Sequence, residues 1–82
     1  MLTDKQIKAN ISANLTRMMA GRKWTQRELS RRAKVNPSVL SDIVRGEVIP
    51  GLSIALRLSD ALDTSVDKMA STPPEEISRQ SA

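Results

Sequence analysis

Apolar residues recur along the first quarter of the chain at helical spacing. Ile7, Ile11, Leu15 and Met18 follow at intervals of four, four and three, which places them on one face of a helix. The run Leu2-Thr3-Asp4-Lys5-Gln6-Ile7 sets a Thr three residues ahead of a Gln, with an apolar residue outside each. That is a capping box combined with a hydrophobic staple, and it opens helix 1. Gly21 offers a left-handed stop, so helix 1 is expected from Asp4 to Ala20.

The same grammar returns at Trp24-Thr25-Gln26-Arg27-Glu28-Leu29. There Thr25 is expected to cap helix 2, Glu28 to return the hydrogen bond, and Trp24 to staple onto Leu29 and sit in the core. Helix 2 runs to Ala33. At Val35-Asn36-Pro37-Ser38-Val39-Leu40, Asn36 caps helix 3 and Pro37 takes the first helical position, where a missing N–H is harmless. Helix 3 ends at Gly46. Only Lys34, Val35 and Asn36 separate the two helices, so they must cross steeply, as in a helix-turn-helix.

A loop, Glu47 to Pro50, leads to helix 4, expected from Leu52 to Leu62. Ile54, Leu58, Ala61 and Leu62 form one apolar face, and Leu52, Ala55 and Leu56 partly fill another, which predicts burial over much of its girth. Ser65 caps a short helix 5, Val66 to Ala70, with Asp67 in the first turn where the helix dipole favours an anion. After that the packing signals stop. Pro73-Pro74, Glu75-Glu76 and scattered Ser give residues 71–82 the composition of a disordered polar tail, leaving residues 1–70 as the folded domain.

Composition narrows the class. The 82 residues have room for one core, and with Trp24 the sole aromatic, that core must be built from Leu, Ile, Val, Met and Ala. Such a mix favours an all-α fold. The absence of Cys and His removes disulfides, thiolate nucleophiles and the usual metal ligands, and Ser, Lys and Asp fall in no recognisable catalytic arrangement. No enzyme activity, cofactor or metal is expected. No stretch approaches the roughly 18 to 20 apolar residues needed to span a bilayer, and Met1 to Asn10 lacks the apolar core of a signal peptide, so a soluble cytoplasmic protein is expected.

Charge placement changes the picture more than its total of +4. Residues 17–45 carry eight basic side chains against two acidic, whereas residues 46–82 carry three basic against six acidic. Such asymmetry within one small domain suggests that the first half meets a polyanion and the second does not. Charge alone is equally consistent with a solvated face.

Taken together, order, spacing and cap chemistry from Leu2 to Ala70 resemble the lambda-repressor-like family, the Cro and cI type of phage repressor and the xenobiotic-response-element regulators. Trp24-Thr25-Gln26-Arg27-Glu28-Leu29 is similar to the family's opening of helix 2, and Val35 to Ser41 to its recognition-helix entry. Arg45-Gly46 with Pro50 is similar to its exit, and Ala61 to Asp67 to its junction of helices 4 and 5. Two positions depart from the family pattern: Ser30 stands where Ala is usual, and Lys34 where Gly is usual. Ser30 is small enough for a close helix crossing and its hydroxyl can bond a carbonyl one turn earlier. Lys34 in a left-handed turn would cost on the order of 1 kcal/mol, a cost set against the benefit of a cation near phosphates.

The resemblance implies a compact five-helix domain that inserts helix 3 into the DNA major groove. Gln26, Ser38, Val39 and Asp42 are then the candidate base-reading residues. Ser38 can donate to or accept from a base, Val39 can pack on a thymine methyl, and Asp42 can accept from the cytosine amino group. The alternatives are that Ser38 caps, Val39 fills a gap and Asp42 pairs with Arg45. Arg22, Lys23, Arg27, Lys34 and Arg45 are candidate phosphate ligands, while Arg31 and Arg32 can serve solubility alone.

Double-stranded DNA with an inverted-repeat operator is therefore the expected partner, met by a homodimer; the resemblance points to the region around Leu62 to Met69 as its interface, where Val66 and Met69 can equally close the monomer core. The expected function is a transcriptional regulator, a repressor of phage, plasmid or bacterial operon type. Two alternatives stand beside it: an antitoxin that uses the acidic tail to hold a toxin, and a protein-interaction module on the same fold.

Overall fold

In the computed structural model, which describes residues 1–74, side-chain caps set four of the five described helix starts. Thr3 accepts from the Gln6 N–H at 3.2 Å while its own N–H donates to Gln6 Oε1 at 2.8 Å, so the capping box that opens α1 (Asp4–Arg22) is complete. Thr25 opens α2 (Gln26–Ala33), and Asn36 with Pro37 opens α3 (Pro37–Val44). Gly51 precedes α4 (Leu52–Ala61) without a side-chain cap, and Ser65 accepts from the Lys68 N–H ahead of α5 (Val66–Ala70). There is no strand among the described residues.

One expected cap forms only in half. Thr25 accepts from the Glu28 N–H at 3.1 Å, but the Glu28 carboxylate turns away from the cap and pairs with Arg31 at 2.6 Å and Arg32 at 2.7 Å. Two guanidiniums one turn ahead outbid a neutral backbone N–H for a carboxylate.

The four longer helices all end at a left-handed residue. After α1, Lys23 is left-handed (φ 57°), its N–H donates to Ala20 O at 3.1 Å, and the Trp24 N–H reaches Met19 O at 2.9 Å. Those two bonds define a Schellman motif. It recurs at Gly46 (φ 75°) and Asp63 (φ 52°), while at Lys34 (φ 57°) the Lys34 and Val35 N–H groups both reach Ser30 O, so only one of the four left-handed positions is glycine. Helix α1 therefore passes through Gly21 and stops two residues beyond Ala20, which lets Trp24 pack against the core that holds Met19. Gly46 lies under α1, where an added Cβ would sit 3.6 Å from Ser12 Cβ.

The core joins Ile11, Leu15 and Met19 of α1 to Leu29 and Ala33 of α2, Val35 of the turn, Leu40 and Ile43 of α3, Ala55, Leu58 and Leu62 at α4, and Met69 of α5. Helix α1 packs on α3 and α5, α2 on α3 and α4, and α4 on α5. The α1 stripe closes on Met19, with Met18 only half-buried. Helix α4 is buried on one side only: Leu52 is 72% exposed and Leu56 53%, contrary to the burial expected over much of its girth. The periodicity is the same either way, and among the described residues no element covers that second face.

Packing also continues past the expected boundary at Ala70. Asn10 donates to Ala70 O at 3.0 Å, Asn14 donates to Met69 O and Ser71 O at 2.8 Å each, and Pro73 is fully buried. The rest of the tail expected to be disordered, residues 75–82, lies outside the described residues. No helix among the described residues is long and apolar enough to cross a membrane.

Candidate nucleic-acid interface

The turn between α2 and α3 is closed by one residue pair. Ser30, buried on α2, accepts the Val35 N–H at its carbonyl (3.1 Å) and donates its hydroxyl to Val35 O. The hydroxyl thus reaches forward across the turn, where the sequence suggested a bond one turn back. With Val35 buried beside it, the bond pair fixes how α3 leaves α2.

On α3, Leu40 and Ile43 are wholly buried, so the opposite face is presented outward. Ser38 is exposed in the first turn, its N–H donating to Asn36 Oδ1 at 2.8 Å, and so Asn36 is the cap and the Ser38 hydroxyl is not used for capping. Asp42 stands one turn further on the same face, its side chain 42% exposed. Val39 is half-buried against the core, which supports the gap-filling reading for part of its surface. Gln26 is exposed as the first residue of α2, where free N–H groups make a helix N-terminus attractive to anions. Ser38 and Asp42 are thus brought onto one face, Gln26 lies at the start of the adjoining helix, and Val39 is turned partly inward.

The basic residues separate into free and engaged groups. Lys23, Arg27 and Lys34 are exposed, the two lysines being the left-handed residues after α1 and α2. Arg22 is tied into the fold: it donates to Leu62 O, joining α1 to α4, and its guanidinium lies 5.6 Å from the Trp24 ring centre. Arg32 stacks on the same ring at 4.3 Å while holding Glu28. Trp24 is therefore half in the core and half a platform for two cations, a role its place before a cap did not reveal. The pair Arg31 and Arg32 pulls the Glu28 carboxyl down to about 2 from the ordinary 4.5.

Arg45 is the most engaged of the expected phosphate ligands. Its guanidinium bonds Ser41 Oγ and Asp42 Oδ1, and meets Glu47 twice, Nε to Oε1 and Nη2 to Oε2, at 3.2 Å each. The fork holds the Glu47 carboxyl below its ordinary value. Asp42 is therefore both outward-facing and paired with Arg45. Arg57, absent from the candidates read in the sequence, donates to Lys34 O at 3.4 Å and adds a cation beside the turn; the two lie 23 residues apart, beyond any local pattern. Among the described residues no cluster of Asp and Glu is placed to hold a metal ion.

A family model described as helix-turn-helix, HTH_3, matches residues 15–69, which takes in α2, the turn, α3 and the core that supports them. The fold is also similar to the crystal structure of the hypothetical transcription factor NHTF from Neisseria. The TM-score is 0.81 at 19% identity, over 98% of this chain and 90% of that one. No curated protein sequence matches the chain.

Proposed function

Because the chain belongs to the HTH_3 helix-turn-helix family and is thereby a DNA-binding regulator, we propose that it acts as a sequence-specific repressor of phage, plasmid or bacterial operon type in a bacterial cytoplasm. In this reading α3 enters the major groove with Ser38 and Asp42 against base edges, and Gln26 at the start of α2 takes a phosphate or braces a base-reading side chain. The observation that carries the reading is the outward face of α3: two hydrogen-bonding side chains one turn apart on a helix whose other face is locked by Leu40 and Ile43. Lys23, Arg27 and Lys34 supply phosphate contacts, which set register without specifying sequence.

Only a few base pairs fit under one α3, so two copies on an inverted repeat follow, with recognition helices one turn of DNA apart, about 34 to 36 Å. Leu62 and Met69 are 1% and 0% exposed and close the protomer's core, while Asp63, Ser65, Asp67 and Lys68 between them are exposed and polar. Leu52 and Leu56, one turn apart on the open face of α4, are the apolar side chains on a described helix left for a second copy.

Selection of bound sites from a pool of random duplexes tests the reading. Recovery of an inverted repeat supports a dimeric, sequence-specific regulator; recovery of no enriched sequence contradicts it.

A further inference from the structure

The end of α3 carries a charge arrangement that a DNA-facing surface does not need for binding. Arg45 is the last basic side chain of the strongly cationic segment, yet it is enclosed by two carboxylates and a hydroxyl. The enclosure is set by backbone geometry as well as by attraction. Gly46 is left-handed at φ 75°, and the Glu47 N–H donates to Asp42 O at 3.0 Å, so the turn after α3 folds Glu47 back beside Asp42. From there Glu47 meets Arg45 in a two-pronged fork while the outer nitrogens keep Ser41 and Asp42. A forked contact inside a network of charges is the geometry in which exposed ion pairs retain an effect.

We infer that Glu47 is a positioning residue for DNA recognition: it holds Arg45 along α3, where the guanidinium orients Asp42, and so keeps Arg45 off the DNA backbone. The inference rests on the regulator reading above and refines it. Two carboxylates around one guanidinium leave this end of α3 with a local surplus of one negative charge. A phosphate approaching Arg45 has to displace Glu47 from a site preformed by the chain itself. Backbone contacts are thereby concentrated at Lys23, Arg27 and Lys34, on the α2 side, and the C-terminal end of α3 is left to Asp42. Tight, indiscriminate binding is traded for a fixed Asp42 carboxylate, whose acceptor role suits a cytosine amino group.

Two measurements test this. In the free protein, the Glu47 carboxyl is titrated by NMR. Replacing Arg45 by Gln must raise its midpoint toward the ordinary glutamate range; an unmoved midpoint overturns the inference without involving DNA. The second measurement is the salt dependence of binding to a short labelled duplex of mixed sequence, where each phosphate contact contributes a slope of about 0.9 in log K against log salt. Arg45→Gln is expected to leave the wild-type slope unchanged, and Glu47→Ala to steepen it by about 0.9 as Arg45 reaches a phosphate. The double variant returns to the wild-type slope, which separates release of Arg45 from the mere loss of a negative charge. A shallower slope in Arg45→Gln alone, or a steep slope that persists in the double variant, overturns the inference while leaving the regulator reading intact. Absence of any duplex binding by the wild-type protein at low salt overturns both.

Discussion

Three side chains sit where glycine would be easier. Lys23, Lys34 and Asp63 all adopt φ above 50°, and a side chain there crowds its own backbone by roughly 1 kcal/mol, less for Asp, which tolerates this region better than Lys. Lys23→Gly and Lys34→Gly should each stabilise the fold by about 1 kcal/mol, which for a domain of this size raises the melting temperature by about 4 to 8 °C. The DNA readout separates strain from purpose at Lys34. Lys34→Gly is expected to gain stability and lose duplex affinity; a variant whose affinity is unchanged would remove the phosphate role.

Glu28 makes a second prediction at this scale. Its folded value, about 2, lies below the ordinary 4.5, so its interactions with Arg31 and Arg32 favour the folded state fully above pH 4.5. That contribution is lost as the pH falls through about 2. Stability curves of Glu28→Gln should therefore fall less between these two pH values than those of the wild-type protein. Parallel declines would show that the pairs do not favour the fold.

Five residues are too few to hold a helix unaided, so α5 depends on what grips it. Met69 is its buried anchor, and Asn10 and Asn14 on α1 donate to the carbonyls at its end. Asn14→Ala leaves those carbonyls short of donors and is expected to cost on the order of 2 kcal/mol. Hydrogen exchange should show the loss first in α5, with α2 and α3 protected until global unfolding; uniform acceleration across the domain would argue against a local clamp. Four of the five described helices were legible from a local start signal: Thr3, Thr25, Asn36 and Ser65 all cap where the sequence places them, and α4 was legible from its apolar spacing alone. The helix ends were less so. Gly21 looked like the stop of α1, but the position that places Trp24 on the core decided it.

Across the whole molecule, what the sequence hid are contacts between distant residues. Asn10 and Asn14 reach α5 over more than fifty residues, and Arg57 reaches Lys34 over 23. No periodicity encodes such pairs, because polar residues on a helix carry no mark of which carbonyl they will meet. Leu52 and Leu56 are hidden for a related reason: their spacing is that of a core face, and only the finished packing shows that none of the described residues covers it. Leu56→Glu is accordingly expected to leave the melting temperature nearly unchanged and to shift sedimentation toward monomer. A variant that sediments as the wild type would move the dimer surface elsewhere.

Base reading by the outward face of α3 is tested most directly by repeating the random-duplex selection with Ser38→Ala and Asp42→Asn beside the wild-type protein. Each variant should bind a site of unchanged length and symmetry while its preference relaxes at one position per half-site, by about 1 to 3 kcal/mol of discrimination. Identical preferences in all three proteins would contradict base reading by this face of α3.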